Sequence, residues 1–118
     1  MEIFNTYHLE VARRLPGLPE SHPCHRLHGH SFRVEVFVSG EVNSATGWVM
    51  DFADLDAAFE PIKNQLDHRY LNDIPGLENP TSENLAQWIW QRLKPTVPGL
   101  SKIVLMETHR SGCVYSGD

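Results

Sequence analysis

The chain has 118 residues, 10 basic and 15 acidic, for a formal charge of −5. A length of this order makes one domain, residues 1–118, with a thin core that removes only about two-thirds of the unfolded surface from water. The acidic balance argues against nucleic acid as a partner, and no apolar run approaches the roughly 20 residues needed to span a bilayer.

The opening segment Met1-Glu2-Ile3-Phe4-Asn5-Thr6-Tyr7 carries an acid where a signal peptide needs a base, so the expected location is the cytoplasm. A reducing compartment in turn makes Cys24 and Cys113 free thiols rather than a disulfide. Residues 3–13 alternate, with Ile3, Tyr7, Leu9, Val11 and Arg13 on one face, and predict a first strand. The proline-rich stretch Pro16 to Pro23 must be irregular. A second strand starts at His28, where His28, His30, Phe32, Val34, Val36 and Val38 share a face.

After the polar connection Gly40–Gly47, Asp51 can cap a helix carrying Phe52, Leu55, Phe59, Ile62 and Leu66, although Pro61 threatens its continuity. Thr81 can cap a second helix with Leu85, Trp88, Ile89 and Leu93 inward, stopped by Pro95 and Pro98. Ile103, Leu105, Glu107 and His109 then fall on one strand face, and Ser111-Gly112 turns into a last strand, Cys113 to Tyr115. This order predicts an α+β domain, a four-stranded antiparallel sheet with two helices on one face. Its open edges favour assembly with further copies.

Several residues are candidates for chemistry. The spacing of His28 and His30 aims two imidazoles to the same side of a strand, the arrangement two metal bonds need, although packed core histidines give the same pattern. Cys24 lies just upstream in a loop where a neighbouring cation would make it a usable base, and its bland reading is a small buried hydrophobe. Asp67 beside His68 can fix an imidazole tautomer for proton transfer, or be no more than a helix terminus with a solvated ring. An inward Glu107 needs either a ligand rich in N–H groups or an arginine such as Arg33 or Arg110.

Taken together, Cys24-His25-Arg26-Leu27-His28-Gly29-His30, Leu66-Asp67-His68, Pro80-Thr81-Ser82-Glu83 and Glu107-Thr108 resemble the 6-pyruvoyltetrahydropterin synthase family, with the cysteine-to-histidine segment most similar to its bacterial 6-carboxytetrahydropterin synthase branch. The likeness extends through Thr46-Gly47-Trp48, Asp51-Phe52-Ala53 and Asp73 to Asn79. It implies a tunnelling fold (T-fold), in which subunits join their sheets into a barrel as a homo-oligomer, a trimer or a hexamer of two stacked trimers. It also implies a lyase that converts 7,8-dihydroneopterin triphosphate and water to 6-carboxy-5,6,7,8-tetrahydropterin, acetaldehyde and triphosphate, a step toward 7-deazapurines such as queuosine. Related side-chain cleavages, to pyruvoyltetrahydropterin or from sepiapterin, are the alternatives, as is a pterin-binding protein without activity.

By the same resemblance His28 and His30 would hold Zn2+, Cys24 would be the general base, and Asp67 with His68 a second proton-transfer unit, which a neighbouring subunit could supply. Glu107 would receive the pterin N–H groups, and Thr81 would line the pterin pocket. One position departs from the family pattern. Where relatives carry a third histidine ligand at the end of the first strand, this chain has Arg13, and a guanidinium has no lone pair for a metal. His22 or His25 are the expected replacements, ahead of a two-histidine site or a metal-free one in which Arg13 supplies charge. His8 is on the wrong face of the strand. His109 stands where relatives often carry cysteine, and Arg13 could otherwise meet the triphosphate.

Overall fold

In the computed structural model, which describes all of residues 1–118, two long alternating segments form the frame: β1 (Glu2–Arg13) and β2 (His28–Ser39), paired antiparallel from Glu2 opposite Ser39 to Arg13 opposite His28. β3 (Leu100–Met106) adds to β2 and the short β4 (Gly112–Tyr115) to β3, giving the sheet order β1-β2-β3-β4. The inward set on β2, from Phe32 to Val38, is buried together with Leu9 and Val11 of β1 and Ile103 and Leu105 of β3. Alternation has become one continuous apolar face.

Helices α1 (Phe52–Leu66) and α2 (Ser82–Leu93) cover that face. Asp51 caps α1 through a bond from the Ala53 N–H, and Thr81 caps α2 through one from the Asn84 N–H. α1 runs unbroken through Pro61, because Leu55 and Phe59 on one side of it and Ile62 and Leu66 on the other are all buried in the same core. Tertiary packing outweighs the lost backbone bond.

Short 3₁₀ turns at Pro23–His25 and Leu71–Asp73 punctuate the loops. The expected strand face through Glu107 and His109 ends early: β3 stops at Met106, Glu107 begins a turn closed by its N–H to the Ser111 carbonyl, and His109 is exposed. Gly112 is required where that turn re-enters the sheet, since a Cβ there would sit 2.3 Å from the Leu105 oxygen. No helix is long and apolar enough to cross a membrane.

Candidate active site

The C-terminal end of β1, the start of β2 and the turn after β3 come together beneath the N-terminus of α2. Arg13, last residue of β1, follows the strand's period onto the inward face and is fully buried. Its Nη1 donates to the Pro80 carbonyl at 2.9 Å and its Nη2 to Oε1 of Glu107 at 2.5 Å. The guanidinium carbon lies 5.1 Å from the centroid of the Phe32 ring. Glu107 thus finds its arginine, but neither Arg33, which pairs with Glu35 at 3.2 Å, nor the exposed Arg110.

The second oxygen of Glu107 accepts from the Ser82 hydroxyl at 2.7 Å, and Oε1 also stands 3.3 Å from Nε2 of His30. Burial acts to raise the Glu107 pKa, but the Ser82 bond and the Arg13 charge outweigh it and hold the carboxyl below its ordinary value. Glu107 is a carboxylate at neutral pH. Burial lowers the His30 pKa and Arg13 adds to the effect, against the opposing pull of Glu107, so that ring is neutral.

His28 and His30 do share a face, with ring centroids 4.9 Å apart. Nδ1 of His28 is 2.7 Å from the Arg26 carbonyl, which can only accept. A hydrogen therefore resides on Nδ1, and in that tautomer Nε2 carries the lone pair, buried and without a partner. Cys24 sits half-buried in the 3₁₀ turn ahead of this pair, its backbone N–H capped by Nδ1 of His22 at 3.1 Å.

Asp67 and His68 occupy the outer edge of β1. His68 adopts φ 59°, an uncommon conformation that lets the chain leave α1 and run along that edge. The His68 N–H bonds to the Glu10 carbonyl, and the Ala12 N–H bonds to the Arg69 carbonyl. One Asp67 oxygen accepts from the Glu10 N–H at 2.8 Å, which is the main reason its pKa is lowered, and the other lies 2.9 Å from Nδ1 of His68. The His68 side chain is 78% exposed, with Nε2 left for exchange with a ligand or solvent. His30 and His68 both line an open cleft of about 450 Å³ between this edge and the β1–β2 hairpin.

Residues 2–118 match the family model described as 6-pyruvoyl tetrahydropterin synthase. The chain belongs to this family. It is 45% identical to the 6-carboxy-5,6,7,8-tetrahydropterin synthase of a Synechocystis strain, across 96% of this chain and 91% of that relative. It is 43% identical to a Pyrococcus furiosus dihydroneopterin monophosphate aldolase across 73% of this chain and 75% of the relative. Among solved structures, the 6-pyruvoyl tetrahydropterin synthase of Caenorhabditis elegans superposes with a TM-score of 0.92 at 26% identity, covering 100% of this chain and 96% of that one. The T-fold expected from the sequence is the fold of these neighbours.

The pocket does not fit a zinc ion held by three protein side chains. His28 and His30 are two donors, but no group of three or more His, Cys, Asp or Glu residues in the chain is arranged to hold a metal. The expected replacements are engaged elsewhere: Nδ1 of His22 accepts from the Cys24 N–H, and His25, with Nδ1 2.8 Å from the Leu18 carbonyl, turns its Nε2 to Nη2 of Arg14 at 3.4 Å. The remaining charged side chain buried beside them, Arg13, is a permanent cation with no lone pair for a metal. Ser82 is the site residue that the sequence reading passed over. Its neighbour Thr81 drew attention as a helix cap, while Ser82, the first helical residue, turns its hydroxyl to Glu107.

Proposed function

We propose that the chain is a lyase acting on the side chain of a pterin, converting 7,8-dihydroneopterin triphosphate and water to 6-carboxy-5,6,7,8-tetrahydropterin, acetaldehyde and triphosphate. The observation that carries this reading is an ionised Glu107, fixed by Ser82 beside His30, in a chain 45% identical to a 6-carboxy-5,6,7,8-tetrahydropterin synthase over nearly its whole length. A carboxylate in a half-buried pocket is suited to accept the amino and ring N–H groups of a pterin through charge-assisted bonds. Thr81, at the head of α2 next to Ser82, is assigned to the wall of the pterin site.

The hydrogen on the side-chain carbon adjoining the ring is α to the C6=N5 imine of a 7,8-dihydropterin. A base that removes it sends the electron pair into the ring. Cys24 is assigned that base, and the Asp67–His68 pair, with its bond of 2.9 Å, the return of a proton elsewhere on the side chain. Zn2+ on His28 and His30 alone would lack its third protein ligand, and none of these proton movements passes through it. The physiological setting is 7-deazapurine (queuosine) biosynthesis in the cytoplasm, with subunits joined through β4 and the part of the β1 edge ahead of Glu10 into a trimer or hexamer.

The likeness to the aldolase from Pyrococcus furiosus favours one second reading, a related cleavage of the same side chain by the same base. Purified chain incubated with dihydroneopterin triphosphate should release acetaldehyde, and Cys24→Ala should lower the rate by at least about 100-fold while still binding pterin. Release no faster than in the Cys24→Ala control contradicts the proposal.

A further inference from the structure

Two buried side-chain nitrogens in the chain have no hydrogen-bond partner: Nε of Arg13 and Nε2 of His28. They belong to residues directly opposite one another across the β1–β2 ladder, where facing side chains start about 5 Å apart. Folded proteins pair nearly all such atoms, because each one left unmade costs about 1–3 kcal/mol. A donor and an acceptor orphaned on facing residues indicate a group that belongs to both.

The chemistry of the two atoms defines that group. Arg13 Nε–H can only donate. It cannot turn away to find another acceptor, because Nη1 is fixed to Pro80 and Nη2 to Glu107. His28 offers a lone pair, since its Nδ1 hydrogen is committed to the Arg26 carbonyl. What satisfies both must accept from the first and donate to the second, as a hydroxyl does. A metal ion would use the His28 lone pair but find beside it a permanent cation that has no lone pair to offer as a ligand.

We propose that Arg13 has replaced the metal in this pocket: Arg13 Nε–H and His28 Nε2 together hold a hydroxyl of the ligand's side chain, with no stoichiometric transition metal. The identity of the ligand as a pterin rests on the function proposed above; the exclusion of metal does not. The ion pair with Glu107 then has a second role, since it fixes the guanidinium plane and with it the direction of Nε–H.

The test uses the full chain expressed and purified with zinc supplied throughout. Metal analysis should find well under 0.1 zinc per chain, in contrast to the single ion of a catalytic zinc site. In EDTA, fluorescence titration should show neopterin, which carries side-chain hydroxyls, binding about tenfold more tightly than 6-methylpterin, which has none. Arg13→His should remove that preference and take up about one zinc per chain. Should that variant fail to fold, the two measurements on the unaltered chain decide alone. One zinc per chain, loss of binding in EDTA, or equal affinity for the two pterins overturns the inference. Binding of neither pterin overturns the hydroxyl assignment together with the pterin reading, whereas a pterin-binding chain with one zinc overturns this inference only.

Discussion

Arg13 changes what Glu107 must do. A guanidinium with 1% of its side chain exposed needs a counter-charge, and Glu107 supplies it from a turn 94 residues further along. Glu107→Gln should therefore do more than weaken pterin binding. It leaves Arg13 as a buried cation without its partner, and the chain should lose about 3 kcal/mol of stability in urea unfolding. An unchanged midpoint and slope would show that Arg13 is compensated by other groups. The period of β1 places Arg13 inward from sequence, but its partner lies beyond the end of β3, where the alternation that identified Glu107 as inward no longer holds. Ser82 was hidden for a related reason: a serine at the first position of a helix looks like an ordinary helix start until the strand turn beneath it is known.

At the scale of elements, hydrophobic period and capping residues carried most of the fold. Asp51 and Thr81 mark the two helix starts, and the β2 face from Phe32 to Val38 is buried as its alternation requires. Pro61 shows where local propensity misleads, since the residues buried on both sides of it keep α1 whole. The segment after α1 was less readable, because its path depends on His68 in a left-handed conformation and on Asp67 bonding to the edge of β1. That bond has a consequence for acid stability. The native Asp67 pKa lies below its unfolded value, so the stabilisation is complete above the ordinary carboxylate range and disappears as pH falls through the native value. Asp67→Ala should melt lower than the parent chain at pH 7, with the gap closing in acid. A gap that stays constant with pH would assign the effect to packing rather than to the carboxylate.

For the whole molecule, the sheet ends on the four-residue β4 and on the long β1, whose edge the chain after α1 covers only at Glu10 to Ala12. Large aromatic groups also stand on its uncovered face, where Phe4 is 49% exposed and its ring centroid lies 5.0 Å from that of Phe37. Joining the uncovered part of β1 in one copy to β4 of the next would remove both edges and enclose that face. Native mass spectrometry should accordingly find three or six chains per particle, and a monomer at micromolar concentration would contradict the assembly. The order of elements made the sheet readable, but not which side chains neighbouring copies share. Cys24 and the exposed His68 complete a proton path only if the pterin side chain reaches both.

The most direct test of the central claim is the mass of the pterin formed from dihydroneopterin triphosphate. The account predicts 6-carboxy-5,6,7,8-tetrahydropterin in amounts equal to the acetaldehyde released. A pyruvoyl product or an aldolase fragment in its place, or substrate recovered unchanged, would contradict it.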